Sequence, residues 1–209
     1  MIFGKVTMVM RGYTLEQVKC VAEVLLSARY ARNLEITTNT EDALNILSII
    51  SMEYGKKLHI GAGTVITFAQ LQNVIDNGAS FVLSPRMMSR EMLFYCKAHE
   101  VIAVPGAFTP SEVGEMMDAG ASIIKIFPAD EVSFGYARKL REPLGDVKLM
   151  AVGGVNVHNI KEVFRSGYSY AATARGLFHP EDIRQMNRER MRQSLVHFEK
   201  EMDEGEHDS

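Results

Sequence analysis

Short runs rich in β-branched and apolar residues alternate with longer stretches whose apolar positions recur every three to four residues, along nearly the whole chain. The short runs predict strands over residues 6–10, 34–38, 58–62, 81–84, 101–104, 123–127, 148–152 and 168–172. The intervening stretches, including 15–28, 41–53, 68–77 and 91–99, predict amphipathic helices. Thr14, Thr40, Thr67, Ser89 and Thr109 stand where helix N-caps belong, and Pro110 falls at a first helical position. Asn77-Gly78-Ala79, Ala119-Gly120-Ala121 and Ser166-Gly167 predict helix ends that turn tightly into the next strand.

Strand–helix alternation implies a parallel sheet, because each crossover helix returns the chain to the same end. Eight such units predict an α/β fold, a single-domain (β/α)8 TIM barrel over residues 1–180. An open doubly wound sheet is the alternative, but no G-x-G-x-x-G follows the first strand. Residues 181–209 form the C-terminal part of the same domain. They are predicted to be a charged helix over 181–201 with a short acidic tail, which either presents a solvated charged face, covers the last face of the barrel or touches a neighbouring subunit. The last few residues are expected to be disordered.

Bulk composition narrows the function classes. At 209 residues and 46% hydrophobic content the chain suits one domain with one large core. A net charge of −3 leaves no basic footprint for nucleic acid. No apolar run is long enough to cross a bilayer, and the N-terminus leads straight into a strand without a signal-peptide pattern. The two cysteines, Cys20 and Cys96, lie in helical stretches without metal or redox spacing, and the six histidines have no metal-ligand pattern. The expectation is a cytoplasmic protein that binds no metal, nucleic acid or membrane.

Against that background one residue is out of place. Lys125 sits in Ser122-Ile123-Ile124-Lys125-Ile126-Phe127-Pro128-Ala129, a run that reads as a strand buried on both faces. A buried ammonium either pairs with a carboxylate or loses its proton, and a neutral lysine amine can form a Schiff base with a carbonyl substrate. The other predicted strand ends, where a barrel carries its chemistry, are rich in candidates. The second carries Glu35, with Asn39 just beyond it, the third ends in Gly61-Ala62-Gly63-Thr64, and the fourth in Ser84-Pro85-Arg86. The fifth ends in Pro105-Gly106, and the seventh in Gly153-Gly154 ahead of a helix, where free backbone N–H groups would suit an anion. Glu35 has two readings: a partner that merely neutralises Lys125, or a proton-transfer group whose pKa is set against that of the lysine. Paired methionines (Met87-Met88, Met116-Met117) read as packing.

In order along the chain, Leu34-Glu35-Ile36-Thr37, Gly61-Ala62-Gly63-Thr64, Leu83-Ser84-Pro85, Val104-Pro105-Gly106, Ile124-Lys125-Ile126-Phe127-Pro128-Ala129 and Gly153-Gly154-Val155 resemble the 2-keto-3-deoxy-6-phosphogluconate / 4-hydroxy-2-oxoglutarate aldolases. The resemblance spans roughly Val6 to Phe178. It implies a homotrimeric barrel that needs no cofactor, because the substrate is held as a covalent Schiff base on Lys125, with Glu35 as general acid/base. It implies substrate-binding roles for Thr64, Gly63 and Pro85 around the pyruvoyl group, for Gly153 and Gly154 at a phosphate-binding end, and for Arg11 after the first strand. The implied reaction cleaves a 4-hydroxy-2-oxo acid to pyruvate and an aldehyde, glyceraldehyde 3-phosphate or glyoxylate.

The chain departs from that pattern in places. Asn39 stands where the family carries a carboxylate-binding Arg, Val152 where it carries Thr, and Ala172-Thr173-Ala174-Arg175-Gly176 where it carries glycine-rich backbone. Arg175, and Arg86 after Ser84-Pro85, would supply replacement cations. Two competing readings follow: a related phosphate-binding barrel (epimerase, synthase or decarboxylase) using Lys125 as an electrostatic clamp, and a ligand-binding barrel without catalysis.

Overall fold

The computed structural model describes residues 2–206. Its strands are β1 (Val6–Met10), β2 (Asn33–Thr37), β3 (His59–Gly63), β4 (Phe81–Leu83), β5 (Ile102–Val104), β6 (Gly106–Ala107), β7 (Ile124–Ile126), β8 (Leu149–Val152) and β9 (Tyr170–Thr173). All pairings are parallel, in the order β5-β4-β3-β2-β1-β9-β8-β7-β6. The two ends of that order are consecutive in the chain: β5 is the strand predicted over 101–104, and β6 is a short strand beyond the predicted range. Pro105 separates them, so that β5 pairs with β4 while β6 pairs with β7, and the Pro105 carbonyl accepts the N–H of Lys125 at 2.9 Å. The eight-unit barrel is therefore closed through a kinked fifth strand, and the open-sheet alternative falls.

The helices are α1 (Leu15–Leu25), α2 (Ala43–Tyr54), α3 (Phe68–Asp76), α4 (Arg90–Ala98), α5 (Pro110–Asp118), α6 (Tyr136–Leu144), α7 (Ile160–Arg165), α8 (Pro180–Arg184) and α9 (Arg188–Glu206). Thr14, Thr67, Ser89 and Thr109 cap α1, α3, α4 and α5 as their positions predict, three of them in full capping boxes. Thr40 does not cap α2. Its hydroxyl lies 3.0 Å from that of Thr37 and accepts the N–H of Gly12, while α2 starts three residues later behind Asp42. Gly78, Gly120 and Gly167 take positive φ at the helix exits, as the sequence predicts.

The single helix expected over 181–201 is two helices, broken at Met186, which takes a positive φ of 52°. The expected acidic tail is partly helix: Asp203 and Glu204 belong to α9. Residues 207–209, where disorder was expected, lie outside the described residues. Met191, Leu195, Phe198 and Met202 recur at helical spacing and bury one face of α9, which packs on α1 and α7. Glu199, also buried, accepts the backbone N–H groups of Arg29 and Tyr30 at 2.6 and 3.0 Å.

Period-two alternation decides what faces the barrel interior. Leu34, Ile36, Ile124 and Ile126 face outward into the large core beneath the helices. Val9, Phe81, Leu83, Val104, Ile123, Met150 and Ala172 face inward and fill the barrel. Phe3 plugs the N-terminal end, its ring 5.2–5.6 Å from those of Phe81, His59 and Tyr170. Above this apolar filling, toward the C-terminal strand ends, the same inward parity brings Glu35 on β2 and Lys125 on β7. Among the described residues no helix is long and apolar enough to cross a membrane.

Candidate active site

Lys125 and Glu35 are 6% and 4% exposed, on strands across the barrel from each other. They do not neutralise one another by contact: among the described residues no ion pair joins them, and Glu35 Oε2 is buried without a hydrogen-bond partner. The Lys125 amine lies 4.7 Å from the centre of the Phe127 ring. Burial pulls the lysine below its ordinary pKa, more than the Glu35 carboxylate pushes it back up. Burial likewise lifts the Glu35 carboxyl, against the lowering pull of Lys125 and Arg11. Arg11, exposed just past β1, lowers both groups. Burial therefore favours loss of the lysine's proton and opposes loss of the Glu35 proton, at two groups that face each other across the barrel.

The strand ends around this pair bring together part of what the sequence singled out. Gly63 lies against the Glu35 carboxyl, which fills the space a side chain at residue 63 would take. Thr64 follows with φ of 61°, a left-handed conformation that is strained for a β-branched residue. It is braced by Thr38, whose hydroxyl donates to the Thr64 carbonyl at 2.8 Å, and by flanking bonds from Thr38 N to Gly63 O and from Val65 N to Leu83 O. Neither the N–H nor the hydroxyl of Thr64 is engaged by another group among the described residues, so both can meet a ligand carboxylate. Pro85 packs against Gly106, where a methyl would come within 2.7 Å of the Pro85 carbonyl carbon.

Other candidates lie further out. Asn39 is exposed in the turn after β2, and Arg175 is exposed after β9. Arg86 is exposed with its guanidinium donating to the Ile66 carbonyl at 3.2 Å. Neither Arg86 nor Arg175 acts electrostatically on the buried pair, as Arg11 does.

At the ends of β8 and β9 the structure adds detail to the sequence reading. Gly153 and Gly154 do precede a helix, but α7 begins only at Ile160 and has six residues. The intervening turn is tied by Asn156 and Asn159, which both donate to the Gly154 carbonyl at 2.9 Å. Thr173 Oγ1 donates to the Val155 carbonyl at 2.6 Å and accepts the N–H of Gly176 at 2.9 Å, so that donor is already used. The carboxylate of Asp130, from a 3-10 turn at Ala129–Glu131, packs on both glycines: a methyl at Gly154 would lie 2.6 Å from Asp130 Cβ. The sequence reading missed Asp130, although its place one residue beyond Lys125-Ile126-Phe127-Pro128-Ala129 puts it at the mouth. It also missed the Phe127 ring over the lysine, whose inward parity with Ile123 and Lys125 was the available signal.

Among the described residues no group of three or more His, Cys, Asp and Glu is arranged to hold a metal ion. Cys20 and Cys96 are buried and unpaired, and Met88 and Met116 are buried in the core.

The family described as KDPG and KHG aldolase matches residues 1–193. The 2-dehydro-3-deoxy-phosphogluconate aldolase of Treponema pallidum (strain Nichols) is 34% identical over 133 residues, 63% of this chain and 62% of the relative. A solved structure described as native KDPGal superposes with a TM-score of 0.85 at 26% identity, covering 96% of this chain and 95% of that one. A KDPG aldolase from Legionella pneumophila, solved with pyruvate captured as a covalent carbinolamine, superposes with a TM-score of 0.82 at 27% identity over 92% of each chain.

Proposed function

We propose, from the premise that this chain belongs to the KDPG and KHG aldolase family, that it is a lyase cleaving a 4-hydroxy-2-oxo acid to pyruvate and an aldehyde through a Schiff base on Lys125. The observation that carries the reading is the buried Lys125, joined to no carboxylate and pulled below its ordinary pKa by burial, across the barrel from a Glu35 carboxyl that burial lifts. The captured carbinolamine in the Legionella relative supports the same covalent route.

The Lys125 amine adds to the C2 ketone, giving a carbinolamine. Glu35, protonated, supplies the proton with which water leaves, and an iminium forms. The Glu35 carboxylate then takes the proton of the C4 hydroxyl. The C3–C4 bond breaks, its electron pair moves into the iminium, and the aldehyde departs from an enamine of pyruvate. Protonation at C3 and addition of water at C2 release pyruvate and restore the amine. The N–H and hydroxyl of Thr64 receive the C1 carboxylate, with Arg11 adding positive potential. Asn39, exposed in the turn after β2, brings no charge to that carboxylate. The aldehyde end faces a rim of mixed sign, with Asp130 on Gly153 and Gly154, Arg175 after β9, and Pro85 and Arg86 after β4 on the opposite side of the mouth. No cofactor or metal takes part in this scheme. We further propose a cytoplasmic homotrimer acting in carbohydrate metabolism, whose assembly sedimentation equilibrium would test.

The experiment is pyruvate release from paired phosphorylated and unphosphorylated 4-hydroxy-2-oxo acids by the wild-type protein and Lys125→Ala. Turnover of at least one acid, lost by 10³-fold or more in Lys125→Ala, is expected. Comparable turnover by the variant would overturn the covalent mechanism.

A further inference from the structure

We propose that Gly63 is a positioning residue, whose lack of a side chain lets the Glu35 carboxyl reach the level of Lys125. This rests on the reading of Glu35 as the proton-transfer group. Seven glycines among the described residues take positive φ, but Gly63 is not one of them. It lies in a regular ladder, opposite Thr37, with its carbonyl accepting the N–H of Thr38. Any residue can adopt that backbone, and glycine within a strand costs about 0.5–1 kcal/mol relative to alanine. Something other than backbone geometry therefore requires it.

Space supplies the reason. A methyl at residue 63 would fall on Glu35 Oε1 and Cδ and come within 2.9 Å of Cγ. The ladder places Glu35 opposite Gly61, so its side chain reaches diagonally, two residues toward the C-terminal strand ends, to lie over Gly63. Gly61 differs in kind: a methyl there would meet the carbonyl and ring of Phe81, which is a matter of barrel filling. At Gly63 the obstructed group is the end of a flexible side chain. A methyl would displace the carboxyl and leave the strands in place. Because Glu35 Oε2 has no partner, no hydrogen bond holds the group once its seat is taken.

The test compares wild type, Gly63→Ala, Glu35→Asp and the double variant. Gly63→Ala should keep its fold by circular dichroism and still form a pyruvate adduct on borohydride reduction. Its kcat for cleavage should fall about a hundredfold, within the range lost with a general acid/base, and its pH–rate profile should change. Aspartate, one methylene shorter, draws back from residue 63, so in the Glu35→Asp background the added methyl should cost less than about fivefold. A Gly63→Ala protein with near wild-type kcat and pH profile, an equal loss in both backgrounds, or loss of the fold would each overturn the proposal. Absence of a pyruvate adduct in the wild type would instead overturn the Schiff-base reading on which it stands.

Discussion

The chemistry at Lys125 is set by three charges and a desolvation penalty, and each can be changed singly. Burial lowers the Lys125 pKa while Glu35 raises it. Glu35→Gln removes the raising influence and leaves burial and Arg11, so the lysine should titrate at lower pH than in the wild type. The pH dependence of Lys125 modification by an amine reagent, followed by peptide mass spectrometry, measures this, and an upward shift would contradict it. Arg11 lowers both members of the pair, so Arg11→Gln should move both titrations, and the pH–rate profile with them, toward alkaline pH. The lysine was legible in the sequence because a lone cation in an apolar strand is conspicuous. Asp130 was not, because its place just past Ala129 puts it at the mouth without revealing that it packs on Gly153 and Gly154 two elements away.

Among the elements, the eight predicted strands and most helices were legible from periodicity, and four of five predicted caps form because an N-cap is a local interaction. Thr40 failed for a non-local reason: its hydroxyl is drawn to Thr37 and to the Gly12 amide from the neighbouring loop. The short strand past Pro105 that closes the barrel was hidden because two small residues, Gly106 and Ala107, show no periodicity of their own. Gly153-Gly154 read as lying just ahead of a helix, and a turn tied by Asn156 and Asn159 comes between. The outer layer offers a test of its own. Glu199 of α9 satisfies two backbone N–H groups of the segment before β2. Glu199→Ala leaves them unpaired and should cost about 1–3 kcal/mol in urea unfolding. No measurable change would show that α9 does not brace the barrel.

For the whole molecule, the active pair works against the fold. Lys125 titrates lower folded than unfolded, so its cost is full below the folded pKa and fades as pH rises toward the unfolded value. Glu35 titrates higher folded, so its cost is absent below the unfolded pKa, grows as pH rises above that value and is full above the raised folded pKa. Near neutrality both weigh on stability. Lys125→Met combined with Glu35→Gln should therefore stabilise the protein by about 1–4 kcal/mol while abolishing activity. A less stable double variant would show that the pair contributes to the fold. The plugged end and apolar filling make the barrel rigid, while Glu35 Oε2, buried without a hydrogen-bond partner, lies toward the open end, where a substrate can meet it.

The most direct measurement is borohydride reduction of the wild-type protein with pyruvate, followed by intact-mass and peptide mass spectrometry. The expected result is a single stable pyruvate adduct mapped to Lys125 and missing from Lys125→Ala. Folded protein that carries no adduct, or carries it on another lysine, would contradict the assignment of Lys125 as the Schiff-base residue.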